Sequence, residues 1–170
     1  YIPDRYEEGY GVSEKAIDYA EINKVSLIIT VDCGIKAVHQ VDLSNSKNIE
    51  VIICDHHLPG DQIPNAFGIL NPKQENCNYP FKELCGCGIA YKLIIAHNSL
   101  VESSIDTSIF LDFVALATIS DMMPLIDENR VMVFHGLNEI NNNPRLGLRN
   151  FLKSINKVDE SKISFNIGPR

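Results

Sequence analysis

Three short stretches of the sequence end in residues that can do chemistry together. The apolar run Leu27-Ile28-Ile29-Thr30-Val31 ends in Asp32-Cys33-Gly34, and Val51-Ile52-Ile53-Cys54 ends in Asp55-His56-His57. A third apolar stretch, from Ala115 to Ser120, ends in Asp121. Carboxylate oxygen mixed with imidazole nitrogen is a donor set for Mn²⁺, Fe²⁺, Zn²⁺ or Co²⁺ rather than for Ca²⁺. An acid just past an apolar strand is costly to bury unpaired. A metal ion or a strong hydrogen-bond network removes that cost. Asp55 alone reads equally as the cap of a turn with incidental histidines; the second strand-end acid favours a site. Adjacent residues of an extended segment point opposite ways. One of His56 and His57 is therefore expected to ligate while the other faces substrate. Asp121 either caps the turn after its helix or closes the metal cage. Divalent ions held between several carboxylates serve phosphoryl chemistry, one activating water and the other steadying the leaving oxygen.

These residues need a scaffold that brings strand ends together. Ser13 predicts an N-cap for a helix over 14–22. Ser26–Val31 reads as a buried parallel strand. Gly34 breaks it, and 35–46 has helical spacing. Glu50–Cys54 is a second strand, and Phe67–Leu70 a third, stopped by Asn71-Pro72. Pro59-Gly60 and Pro64 make 58–65 a loop. Helices are expected near 87–97, 107–119, 128–141 and 145–155. The fold class is therefore α/β: a parallel sheet with flanking helices, followed by a mostly helical C-terminal half. In open parallel sheets the site lies at the carboxyl ends of the strands, so Asp32, Asp55, His56 and His57 should share one crevice. No Gly-x-Gly-x-x-Gly or P-loop marks a nucleotide-binding sheet.

A chain of 170 residues can bury a real core. An apolar fraction of 45% and a charged fraction of 22% exclude disorder and coiled coil as whole-chain readings. No apolar run approaches the roughly 18 residues of a membrane helix. The net charge of −7 argues against a protein that merely coats nucleic acid. Residues 1–143 hold nine basic and twenty acidic residues, whereas 144–170 hold six basic and two acidic. This shift sets the expected division: a core over 1–143, then a basic helix and the start of a linker over 144–170. An acidic body with a basic tail fits a metal enzyme acting on a polyanion, but charge alone favours a solvated helix face. Five cysteines, an odd number, read as thiols of a reducing, cytoplasmic compartment. Cys77, Cys85 and Cys87 lack a fourth ligand nearby and do not make a zinc site.

Val31-Asp32-Cys33-Gly34, Asp55-His56-His57 and Ser120-Asp121 together resemble three of the four motifs of the DHH phosphoesterase superfamily. The flanking Tyr1-Ile2-Pro3-Asp4-Arg5, Glu8-Gly9-Tyr10-Gly11, Leu58-Pro59-Gly60, Asn71-Pro72-Lys73, the block from Tyr79 to Lys92, Glu128-Asn129-Arg130 and Ile167-Gly168-Pro169-Arg170 resemble its single-strand-specific 5′→3′ DNA exonucleases. The resemblance spans nearly the whole chain. It implies a phosphodiesterase of DNA repair and recombination using Mn²⁺ (or Mg²⁺), with two ions in the complete protein. Asp32, His56 and Asp121 would be metal ligands, and His57 and Asp55 the catalytic pair: His57 would contact the scissile phosphate or assist catalysis, and Asp55 would support the metal shell. Single-stranded DNA would be the substrate, and a single-strand-binding protein and a helicase would be partners. The superfamily's first motif, Asp-x-Asp, is expected before residue 1, and its DHHA1 substrate-binding domain after Arg170. The 170 residues alone are accordingly expected to have little activity. Two alternatives stand beside this reading. One is a relative acting on short oligonucleotides, cyclic dinucleotides or pyrophosphate; the other is a nucleic-acid-binding scaffold without catalysis.

Other residues carry weaker signals. Gly86-Cys87-Gly88 before a helix either cradles phosphate through backbone N–H groups or makes a tight turn. Lys92, Arg130 and Arg145 either contact phosphate or form salt bridges, and Arg149 joins Arg145 in the basic tail. His39 is expected on the surface, and His97 and His135 in structural positions. Tyr79 and Phe81 are expected to anchor a loop to the core. Ile109, Phe110, Phe113 and Val114 read as a core stripe.

Overall fold

A computed structural model describes residues 1–101 and 105–155. The packing divides the chain into two compact units, Tyr1–Lys82 and Glu83–Arg170. The boundary drawn from charge at 143/144 falls inside the second unit. The linker expected at the C-terminal end lies, from 156 onward, outside the described residues.

The first unit alternates helix and strand: α1 (Glu14–Ile22), β1 (Leu27–Val31), α2 (Val38–Ser46), β2 (Glu50–Cys54) and β3 (Gly68–Leu70). Ser13 caps α1 as its position predicts, its Oγ accepting the Ala16 N–H at 3.0 Å. The three strands form one parallel sheet in the order β1-β2-β3, with Val31 opposite Cys54 and Cys54 opposite Leu70. The core beneath it joins Val41 of α2 to Val51 and Ile53 of β2, with Ile28, Ala66 and Ile69 packed around them. β2 is thus the buried central strand. β1 departs from the expectation of a buried strand: Leu27, Ile29 and Val31 are exposed. The reason is topological. β1 is an edge strand here, and its outward face has no covering layer among the described residues.

The second unit is helical: α3 (Gly86–Leu100), a 3₁₀ turn over Thr107–Phe110, α4 (Leu111–Ser120), α5 (Asp127–Asn142) and α6 (Leu146–Ile155). Its core is Ala115, Val133, Leu137 and Ile140, closed by Ile119, Leu125, Leu148 and Leu152. Gly136 lets α4 and α5 touch: a Cβ there would lie 2.1 Å from the Leu111 carbonyl oxygen. The expected single helix over 107–119 is instead the 3₁₀ turn followed by α4. Asp106 Oδ1 accepts the Ser108 N–H at 2.9 Å and starts that turn. The expected core stripe is also split. Val114 is fully buried, but Ile109 and Phe113 are about half exposed. The Arg145 guanidinium lies 4.3 Å from the Phe113 ring centre and 5.7 Å from that of Phe110, covering part of a face that apolar spacing alone assigns to the core. No helix among the described residues is long and apolar enough to cross a membrane.

Candidate metal centre

The sheet register dictates which side chains meet. Val31 and Cys54 are paired, so the residues that follow, Asp32 and Asp55, leave adjacent strands at the same level. The ladder continues one step further, with Asp32 N–H donating to the Cys54 carbonyl at 2.9 Å and Asp55 N–H to the Leu70 carbonyl at 3.0 Å. Asp32 has φ of +63°, a left-handed conformation that aspartate tolerates better than most residues. Gly34, at φ +113°, completes the turn. A Cβ there would meet Thr30 Oγ1 at 2.8 Å, so glycine is required by packing.

Asp55 is almost completely buried, and its carboxylate collects four donors. Oδ1 accepts the N–H groups of His56 (2.8 Å) and His57 (3.2 Å) and lies 2.7 Å from His57 Nδ1; Oδ2 accepts the Ile35 N–H at 2.9 Å. Burial alone would raise the Asp55 pKa. The Ile35 N–H, the His57 ring and the His57 N–H outweigh it and hold the carboxyl below its usual value. Asp55 is therefore a fixed anion. It orders the β1–α2 loop through Ile35 and the imidazole through Nδ1, leaving His57 Nε2 directed away from it.

His56 Nε2 lies 3.1 Å from Asp32 Oδ1, and the two histidine rings are 4.6 Å apart, tilted at 58°. One donor atom from each of Asp32, His56 and His57 lies within 4.8 Å of the others. The expectation that the two histidines point opposite ways does not hold. Residues 55–57 have left the strand, and the shared hydrogen bonds to Asp55 Oδ1 curl the segment so that both rings turn to one place. One carboxylate oxygen and two imidazole nitrogens so gathered fit a borderline divalent cation such as Mn²⁺. Cys33 lines the adjoining cavity, but burial, followed by the Asp55 and Asp32 charges, pushes its thiol up. Cys33 is not among the grouped donors, which are oxygen and nitrogen.

The sequence matches a family model described as the DHH family, N-terminal domain, over residues 1–118. The chain belongs to the DHH family. Among its relatives, the single-stranded-DNA-specific exonuclease RecJ of Bacillus subtilis is 44% identical over 174 residues, covering all of this chain and 22% of that protein. RecJ of Escherichia coli is 37% identical, over 99% of this chain and 32% of its own length. The chain thus spans about a fifth to a third of the curated relatives it matches. A crystal structure of exonuclease RecJ bound to manganese superposes with a TM-score of 0.79 at 31% identity, over 93% of this chain and 40% of that one. RecJ from Thermus thermophilus in complex with Mn²⁺ gives 0.73 at 27%, over 85% and 22%. The α/β class and the parallel sheet with flanking helices agree with these DHH neighbours.

Most of the other residues singled out in the sequence lie in the second unit. Asp121 is the C-cap of α4 and exposed. Met122 N–H donates to Ile119 O and Met123 N–H to Thr118 O, a Schellman ending with Met122 at φ +53° where glycine is usual. An acid at the negative end of a helix opposes its dipole, so helix stability does not explain Asp121. Gly86 and Gly88 begin α3, but the Gly88 N–H donates to Cys85 Sγ, which caps the helix. Lys92 pairs with Glu128. Arg145 binds Asp112 at 2.6 Å and the Ile109 carbonyl. Arg130 is exposed on α5, and Arg149 Nη2 is 3.5 Å from the Pro144 carbonyl. None of the five cysteines forms a disulfide. His39, His97 and His135 are exposed, and Phe81 is buried as an anchor. The sequence reading passes over Ile35, whose backbone ties the β1–α2 loop to Asp55. Gly34 is the signal for it, since a forced turn after a strand-end acid brings the next N–H back toward the neighbouring strand.

Proposed function

We propose that this chain supplies the metal-binding core of a phosphodiesterase that removes nucleotides from the 5′ end of single-stranded DNA, in repair and recombination. The observation that carries this reading is the convergence of Asp32, His56 and His57 at the ends of two paired parallel strands. The RecJ names of the relatives and the manganese in the two RecJ structures support the substrate class and the metal. Asp32, His56 and Asp121 are the proposed ligands, in a complete centre of two Mn²⁺ or Mg²⁺ ions; His57, the third donor gathered there, is assigned to the substrate phosphate instead. When bound, such ions activate water and neutralise charge on the phosphoryl group. Asp32 and His56 orient the centre through their 3.1 Å contact. Asp55 keeps its negative charge and holds the proton of His57 on Nδ1. His57 Nε2, on the side of the ring away from Asp55, is then positioned to contact the scissile phosphate and to exchange a proton with it. The acidic balance of residues 1–143 makes a second, basic surface necessary for a polyanion, and the relatives extend well beyond this chain. A cytoplasmic setting and partnership with a single-strand-binding protein and a helicase accompany the proposal.

The test is Mn²⁺-dependent nucleotide release by the full-length protein from 5′- and 3′-labelled single- and double-stranded DNA, with Asp121→Ala as control. Release from the 5′ end of single strands, lost in the control, supports the reading. Release only from dinucleotides or cyclic dinucleotides overturns the substrate, and no hydrolysis of any phosphodiester overturns the enzyme.

A further inference from the structure

Beside the metal centre lies a cavity of about 360 Å³ within the first unit, lined by Tyr10, Gly11, Cys33, Lys36, Gln40 and His57 among others. Ligand-binding pockets start at about this size, roughly 300 Å³. We propose that Lys36 is a phosphate-contacting residue, holding the backbone phosphate next to the scissile one in the cavity it shares with His57. The proposal rests on the phosphodiesterase reading and adds to it a residue outside the family motifs.

Four observations carry it. First, Lys36 is the cation lining this cavity. Second, no carboxylate pairs with it among the described residues, a state it shares with Lys24 and Lys73, but those two line no part of this cavity, whereas Lys15, Lys47, Lys92 and Arg145 are each tied to one or two acids. In a segment as acidic as residues 1–143, an unneutralised lysine at a cavity mouth is a local exception to the surrounding charge. Third, its backbone is held from both sides. Ile35 N–H donates to Asp55 Oδ2, and Ala37 N–H to the Gly34 carbonyl at 2.9 Å. The same Asp55 fixes the His57 ring, so one buried carboxylate sets the positions of both the lysine and the histidine. Fourth, the Lys36 stem runs beside the loop that follows β2, its Cγ lying 3.8 Å from where a Cβ on Gly60 would sit. A lysine acts as a mobile point charge suited to a phosphate oxygen rather than to a base edge. The contact is therefore independent of DNA sequence.

The experiment uses the full-length protein, wild type, Lys36→Met and Lys36→Arg, with thermal melting to confirm equal folding of these exposed-site variants. A fluorescent single-stranded oligonucleotide is titrated without metal at several salt concentrations, and Mn²⁺-dependent cleavage kinetics are measured separately. The expected result for Lys36→Met is binding and KM weakened about tenfold with kcat little changed. Loss of one phosphate contact should also flatten the log–log salt slope by about 0.7. Lys36→Arg should restore both. Unchanged binding and slope in Lys36→Met would overturn the proposal even if the wild type cleaves DNA normally. Wild-type binding without cleavage would overturn the enzyme reading, and the Lys36→Met binding slope would still decide this one. A wild type that neither binds nor cleaves overturns both.

Discussion

Asp55 in the first unit and Asp112 in the second are both buried carboxylates, and they are satisfied by opposite means. Asp55 takes three backbone N–H groups and the Nδ1 side of His57. No Arg or Lys side chain is used up in the process, and the charge is spent on shaping two loops and orienting a ring whose other nitrogen is turned away from the carboxylate. Asp112 takes the Arg145 guanidinium and the Phe113 N–H. That arrangement ties the start of α6 to α4 and lays the guanidinium over Phe113, with no reactive atom left over. Burial of an acid is thus no sign of chemistry by itself. The identity of the donors separates a site from a clamp.

Breaking the first arrangement should cost activity. Asp55→Asn removes the fixed anion and the constraint on the His57 tautomer; kcat should fall on the order of 10³-fold or more while the fold persists, as steady-state kinetics with circular dichroism would show. An Asp55→Asn enzyme within tenfold of wild type would make Asp55 another clamp.

Two changes in the second unit should cost stability instead. Gly136→Ala puts a methyl group against the Leu111 carbonyl at the α4–α5 crossing and should destabilise by about 3 kcal/mol, the upper end for overpacking. Asp112→Ala strands the guanidinium of Arg145. Because Arg145 is partly exposed, about 2 kcal/mol is expected, less than the roughly 3–5 of a fully buried pair. Urea denaturation measures both, and kcat per folded Asp112→Ala molecule should stay at the wild-type level.

The smallest effect sharpens the comparison with a third acid. Glu8 is held by the Tyr1 hydroxyl, the Ser13 hydroxyl and the Asp4 N–H. The Ser13 and Tyr1 hydrogen bonds hold its pKa at about 2, against a usual value of 4.5. A depressed carboxyl stabilises the fold above its unfolded-state pKa, and that contribution is lost as pH falls from about 4.5 through about 2. Glu8→Gln should therefore flatten the stability–pH curve in that window and leave it unchanged at pH 7 apart from a constant offset. An equally steep curve in the variant would contradict the assignment.

Much of the first unit is legible in the sequence because strand, acid and turn follow one another without interruption. The runs before Asp32 and Asp55 and the Ser13 cap need only local rules. What escapes is set by contacts between elements. Helix α2 begins at Val38 and not Ile35: residues 34–37 form a separate turn, Ala37 N–H donating to the Gly34 carbonyl, while the Ile35 N–H is held by Asp55, twenty residues on. The two histidines converge because one carboxylate oxygen gathers both their N–H groups, which no alternation rule anticipates. In the second unit, Phe113 follows core spacing but is covered by a guanidinium that lies 32 positions away in sequence. Lys92 and Arg145, ambiguous between substrate and structure as residues, lie in ion pairs with Glu128 and Asp112.

The central claim is that Asp32 and His56 hold a divalent ion in a centre shaped by Asp55. Mn²⁺ binding to the full-length protein, followed by electron paramagnetic resonance, tests it directly. The account predicts that Asp32→Ala and His56→Ala each abolish at least one bound Mn²⁺, and that Asp55→Asn weakens binding by about 10- to 100-fold. Wild-type Mn²⁺ stoichiometry and affinity in both Asp32→Ala and His56→Ala would contradict it.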